Sequence, residues 1–324
     1  MIEVAGLTKA YPGVVAVDGV SFRVEKGEIA GFLGPNGAGK TTTMRILAGF
    51  IAPTDGSASV AGFDVMRQSM EVRRRVGYLP ESNPLYTEMR VRDYLEFRAT
   101  VKGVPRARRR KRVEEILDRC GLAERRDSII HHLSKGLRQR VGLADAIVHD
   151  PQIVILDEPT IGLDPMQVRD VRELIRELGR DRTVLLSSHI LSEIEKLCGR
   201  VLIMHRGKLV ASGTPEEIAN RLMRTGRVRL EIRGEGRAIK DLLQKVPGVA
   251  QILWSARGDM NTYIVEAAGE TDLRPELFRA CAAQSWDVYE LAFERLSLEE
   301  VFAILTADPG APPAGKAPAG GGAP

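Results

Sequence analysis

The run Gly34-Pro35-Asn36-Gly37-Ala38-Gly39-Lys40-Thr41 constrains this chain more than any other stretch. It follows an apolar segment, residues 28–33, of strand length, and leads into a segment of helical character over about 40–48. A strand, a glycine turn and a helix start together cradle phosphate. The glycines let backbone N–H groups converge on the anion at the positive end of the helix. The spacing fits G-x-x-x-x-G-K-[ST], which places Lys40 to reach β- and γ-phosphates and the Thr41 hydroxyl to ligate Mg²⁺. Gly34, Pro35, Asn36, Gly37, Ala38, Gly39, Lys40, Thr41 and Thr42 form the expected nucleotide-binding set.

A second feature belongs with the first. Residues 153–156, Ile-Val-Ile-Leu, read as a buried strand and run into Asp157 and Glu158. Ligands of open α/β sheets bind at that strand edge. Asp157 suits Mg²⁺, directly or through water, and Glu158 is placed to orient or deprotonate an attacking water. The competing reading is two loop carboxylates capping the next helix.

Around these motifs the pattern alternates. Residues 2–4 and 20–24 read as short strands forming an antiparallel layer. Residues 91–149 are mostly helical, with Val113, Ile116 and Leu117 at helical spacing and Gly121 as a stop. Strands at 183–187 and 201–205, with a helix at 166–178, complete a mainly parallel α/β core. The composition changes near Gly226. Strands at 227–232, 249–254, 262–267 and 286–291 and helices at 238–246 and 273–283 follow in the order β-α-β-β-α-β, which is ferredoxin-like. A last helix is expected at 296–305. The expected domains are therefore 1–222, with a helical insert at about 91–149, then a small α+β domain at 227–307. The Pro/Gly/Ala tail 308–324 is expected to be disordered.

Leu133-Ser134-Lys135-Gly136-Leu137-Arg138-Gln139-Arg140 resembles the signature motif of ABC ATPases. Tyr11 matches that family's adenine-stacking aromatic, Gly162-Leu163-Asp164 its D-loop, and His189 its switch histidine. The motifs occur in family order over residues 1 to about 220. The resemblance implies two cassettes stacked head to tail around two ATP molecules. Ser134 and the Gly136 N–H of one would then meet the γ-phosphate held by the other. It also implies that His189 contacts that phosphate and positions the water. Two departures stand out. Lys135 and Leu137 replace the consensus Gly and Gln, and Glu81 occupies the place of the Gln-loop glutamine as a further Mg²⁺ ligand. The Leu79-Pro80-Glu81 loop, the Ser-Lys-Gly signature and the appended domain look like the multidrug and gliding-motility exporter branch. Such subunits pair with separately encoded ABC-2 type permeases. The implied place is the cytoplasmic face of the membrane, peripheral, with a second cassette and a permease as partners.

Composition bounds the alternatives. The 324 residues, 44% hydrophobic and 28% charged, suit about two globular domains, and a net charge of +4 does not by itself imply nucleic acid, which is not an expected partner. Three scattered cysteines read as reduced thiols. Residues 1–12 lack a signal-peptide pattern, and the longest apolar runs are strand-length, so any membrane role needs a spanning partner. The rival function is a soluble ABC ATPase of translation or DNA repair; a single cassette without a heptad run argues against it. A non-catalytic scaffold is opposed by Lys40, Asp157, Glu158 and His189. Three further features take bland readings. The basic run 106–112 reads as a solvated helix start, with acidic lipid or nucleic acid as the alternative. Trp254, Trp286, Phe293 and Phe302 read as core of the small domain, and His131 and His132 as loop residues.

Overall fold

The computed structural model of the chain describes residues 1–222, 227–269 and 271–293, together with Glu300, Phe302 and Leu305. They fall in two compact units, Met1–Pro215 and Glu216–Pro324. The first begins β1 (Ile2–Tyr11), β2 (Val14–Val24), β3 (Ile29–Leu33), α1 (Lys40–Leu47), β4 (Asp55–Val60), β5 (Phe63–Asp64), α2 (Ser69–Arg75) and β6 (Val76–Leu79). A helical segment follows: α3 (Val91–Val101), α4 (Arg106–Arg119) and α5 (Lys135–Ile147). The chain then runs through β7 (Ile153–Leu156), α6 (Pro165–Asp181), β8 (Thr183–Ser188), α7 (Leu191–Leu197), β9 (Arg200–His205) and β10 (Lys208–Gly213).

Two sheets organise this unit. One is antiparallel, in the order β2-β1-β4-β5. The other runs β10-β9-β3-β8-β7-β6 and is parallel except for the edge strand β10. Every residue of β7 and β8 is buried. That is the mark of strands covered on both faces, and it explains their continuous apolar runs. The first hairpin is longer than the sequence suggests, with β1 running to Tyr11 and β2 starting at Val14. Register shifts between Val4 and Leu7, Leu7 and Lys9, and Lys9 and Ala10 explain the shortfall. Each shift interrupts the strict alternation by which a strand is read from sequence.

The helices cover the sheet edge that carries β6. Val113, Ile116 and Leu117 of α4 are buried. Asp145 of α5 is buried too, with Arg98 Nε and Lys102 Nζ of α3 both at 2.9 Å. Burial pushes its pKa up, but Lys102 and Arg98 outweigh it and hold the carboxylate below its ordinary range. This buried charge is tolerated because it is paired, and it pins α3 to α5.

The helix α8 (Pro215–Leu222) follows, and then β11 (Arg227–Arg233), α9 (Gly236–Leu243), β12 (Val249–Arg257), β13 (Met260–Ala267), α10 (Arg274–Ala283) and β14 (Val288–Phe293). The last four strands form an antiparallel sheet, β12-β13-β11-β14, the ferredoxin-like order. Alternate residues Val228, Leu230 and Ile232 of β11 and Tyr263, Val265 and Ala267 of β13 are buried with Ile239, Leu243, Leu277 and Cys281. The aromatic expectation needs correction. Trp254 and Phe293 stay about two-fifths exposed, at 41% and 38%. Trp254 sits on edge strand β12, stacks on Tyr263 and donates to Asn261 Oδ1 at 3.0 Å, so one ring face remains open. Trp286 does pack against the core. The expected helix 296–305 lies outside the described residues apart from Glu300, Phe302 and Leu305, and the tail 308–324 lies outside them entirely. The three cysteines are free and buried. No helix among the described residues is long and apolar enough to cross a membrane.

Gly77 in β6 marks the closest approach of sheet and helix. A Cβ there would stand 2.1 Å from the Ala146 carbonyl oxygen of α5 and 3.0 Å from Pro151. Backbone cannot swing aside as a side-chain tip can, so Gly77→Ala should cost about 1–3 kcal/mol of stability in a denaturant titration. An unchanged midpoint would mean that β6 and α5 separate freely.

Candidate active site

The strand order brings three strand ends to one sheet edge. The ends of β3, β7 and β8 lie side by side, paired in register at Leu33 with Ser188 and at Leu156 with Leu186. Beyond β3 the loop 34–39 turns into α1. Gly39 adopts φ 102°, and a Cβ on it would meet the Ala16 carbonyl oxygen at 2.5 Å, so only glycine closes the loop here. An open cleft of about 700 Å³ follows, lined by residues 35–42, 14–16, Glu81, Glu158 and Arg206.

Lys40 is 6% exposed. Its ammonium donates to the Gly34 carbonyl at 2.6 Å and the Pro35 carbonyl at 3.2 Å, and stands 3.6 Å from Glu158 Oε1. Thr41 Oγ1 donates to Asp157 Oδ1 at 3.1 Å, and Ser187 Oγ donates to the same oxygen at 2.7 Å. Asp157 Oδ2 is buried with no hydrogen-bond partner among the described residues. An acceptor-only oxygen left bare inside a protein is costly unless a cation arrives. This donor set therefore fits Mg²⁺, which binds through one or two protein oxygens while phosphates and waters fill its octahedron.

Glu158 takes φ 49°, a left-handed backbone that is rare for this residue and more so before Pro159. Its N–H donates to Ser187 Oγ at 2.9 Å, which holds the turn. Its Oε2 faces His189 Nδ1 at 2.8 Å. A carboxylate only accepts, so Nδ1 carries the proton and Nε2 is left for another partner. Lys40 and His189 thus flank the two oxygens of one buried carboxylate. The Gly34–Thr42 segment, Asp157, Glu158, His189 and Glu81 are brought together as the sequence suggests. Tyr11, 43% exposed, is not among the cleft-lining residues, though Val14, its partner across the hairpin, is.

Ser134 and Gly136 stand elsewhere. Ser134 caps α5, its Oγ accepting from Leu137 N–H at 3.3 Å, so its own O–H is free to donate. Neither residue lines the cleft of its own chain. Lys135 begins α5 and is exposed. Asp164 caps α6, accepting from Gln167 N–H at 3.0 Å.

Sequence reasoning missed a supporting shell. Ser187 holds both acidic residues. Gln139 Nε2 donates to the Pro159 carbonyl at 2.9 Å, tying α5 to the turn after Glu158. Buried Glu193 accepts from Thr160 Oγ1 at 2.7 Å and Ser188 Oγ at 3.1 Å, fixing the segment before His189. The signal was present: the apolar run 184–186 ends in two serines at the strand's C-terminal end.

The ABC transporter family model matches residues 17–161. Bacitracin transport ATP-binding protein BcrA of Bacillus licheniformis is 40% identical over 212 residues, 65% of this chain and 68% of the relative. This chain belongs to the ABC transporter ATP-binding proteins. Daunorubicin resistance ATP-binding protein DrrA3 of Streptomyces coeruleorubidus is 33% identical over 311 residues, 95% of this chain and 96% of that one, so its likeness extends through the C-terminal unit. A solved ATP-binding subunit of an ABC transporter superposes with TM-score 0.63 at 32% identity, over 68% of this chain and 92% of that one. The chain is accordingly an ABC ATPase cassette, similar to proteins named for bacitracin transport and daunorubicin resistance.

Ser187→Ala removes a donor from Asp157 and strands the Glu158 N–H, which should cost about 1–3 kcal/mol of stability. Because Glu158 then loses its fixed turn, kcat should fall by ~10-fold or more while KM for ATP changes little. Equal losses in ATP affinity and kcat would show a merely structural role.

Proposed function

We propose that this chain hydrolyses ATP at a site shared by two cassettes and thereby drives a separate ABC-2 type permease in export. One observation carries the reading. The cleft that holds Lys40, Asp157 and Glu158 lacks Ser134 and Gly136 of its own chain, so the site is half-built until a second cassette presents its signature. Ser134 supports this by keeping its O–H free at the positive end of a 13-residue helix, a suitable donor to an incoming phosphate.

The roles follow from placement. Backbone N–H groups of residues 36–41 receive the phosphates, and the 14–16 segment, with Tyr11 across the same hairpin, borders the base. Thr41, Asp157 and Glu81 offer oxygens to Mg²⁺, which neutralises phosphate charge when bound. Lys40 exchanges its carbonyl partners for phosphate oxygens. Glu158, then short of its cationic neighbour, accepts a proton from water, and His189 orients it through Oε2 while turning Nε2 toward the γ-phosphate. For the permease, a groove of about 400 Å³ beside β6 supports docking. It is lined by Phe50, Met70, Tyr78 and Val101, of which Phe50, Met70 and Val101 are more than half exposed. Export as the direction is supported by the relatives named for bacitracin transport and daunorubicin resistance.

Glu158→Gln should bind ATP and dimerise with it, while turnover drops ~10²-fold or more through loss of the base. Near-normal turnover would remove Glu158 from that role. Glu81→Gln tests the metal assignment separately: the Mg²⁺ concentration for half-maximal ATPase should rise severalfold at constant ATP. A superimposable titration curve would leave Glu81 as a mechanical contact only.

A further inference from the structure

We propose that the arginine-rich start of α4 binds the anionic headgroups of a lipid surface. Six of the seven residues 106–112 are cationic, and the first turn of α4 holds no acidic residue. Cations at the positive end of a helix, packed against one another, work against the fold. Some of that charge is consumed internally. Arg112 donates to the carbonyls of Ile147 and Val148 and pairs with Asp150, and Arg109 donates to the Val104 carbonyl at 2.7 Å. Lys111 only grazes Glu115, at 4.0 Å. The side chains of Arg106, Arg108 and Arg110 are exposed and make no ion pair or hydrogen bond among the described residues. Three guanidinium groups within about one helical turn therefore face outward with no use inside the molecule.

Their position gives the ligand. A cleft of about 600 Å³ between Pro105, Arg108, Lys111 and Asp150 shares Lys102, Gly103 and His149 with the apolar groove assigned above to the permease. Arg108 and Lys111 thus lie on the rim of the face turned toward a membrane protein, with Arg106 and Arg110 beside them in the same stretch of α4; this orientation rests on that reading. Val101, 60% exposed, and exposed Pro105 stand beside them, so the rim joins apolar tips to guanidinium groups. That pairing suits the headgroup region, where phosphate takes two parallel N–H bonds from one arginine and apolar tips reach the acyl boundary.

The test is co-sedimentation of the full chain with vesicles of phosphatidylglycerol mixed into phosphatidylcholine, at low salt. We expect binding that fades with added salt. R106Q/R108Q/R110Q should lower the partition coefficient on the order of a hundred-fold, since each surface cation contributes about fivefold. Its ATPase rate should stay normal, which certifies the fold. The control R169Q/R176Q/R180Q removes three cations from α6 and should bind as the parent does. Equal binding to pure phosphatidylcholine overturns the proposal, as does an unaffected triple variant or an equal loss in the control. So does a triple variant that loses affinity for duplex nucleic acid but not for vesicles. The vesicles hold no permease, so this result is separate from permease docking, which cross-linking at Phe50 reads.

Discussion

The hydrogen bonds on Asp157 Oδ1 hold the catalytic half-site together. Thr41 reaches it from the phosphate loop and Ser187 from β8, while Asp157 itself ends β7. Three strand ends are therefore fastened through one carboxylate oxygen. This works only because β3, β8 and β7 are adjacent and parallel, with pairing that brings Leu33, Ser188 and Leu156 to one edge. The second oxygen is left bare in a buried place. A divalent cation at that oxygen would relieve the cost of burying it, and its affinity would then depend on the integrity of the sheet edge.

A second constraint links the half-site to the surface that meets a partner. The helix α5 starts at Ser134, and one turn later Gln139 bonds the carbonyl after Glu158. Between them, the Arg138 carbonyl accepts from Asn83 Nδ2 at 3.1 Å, which fastens the loop carrying Glu81. One helix therefore touches the signature, the turn after Glu158 and the Glu81 loop. A displacement of that helix would act on all three together, since a packed helix moves as a body. Asp145, clamped by Arg98 and Lys102, carries the same motion into α3, which lines the apolar groove.

What the sequence disclosed and what it hid follow from distance along the chain. The phosphate loop, the two carboxylates and the signature were legible because each is a local run with a fixed chemistry. The buried parallel strands were legible as apolar runs too short for helices. Ser187 was not, since its role exists only once β8 lies beside β7, about 30 residues away in sequence. The left-handed turn at Glu158 was hidden for the same reason, because the serine that holds it comes from another strand. Trp254 was misassigned to the core because nothing local tells an edge strand from a central one, and β12 is an edge.

The charge arrangement at Glu158 explains why such a strained residue is tolerated. Its backbone conformation costs of order 1–3 kcal/mol, and burying its carboxylate adds to that. Lys40 at 3.6 Å and His189 at 2.8 Å offset the buried charge from both sides. The two differ in freedom. Lys40 is enclosed and bonded to loop carbonyls, whereas the His189 side chain is 46% exposed and stands before a short helix. A phosphate entering the loop competes for Lys40, since it offers a full negative charge where the carbonyls offer only dipoles. Glu158 would then keep one movable partner, His189, and its carboxylate would be held from one side only.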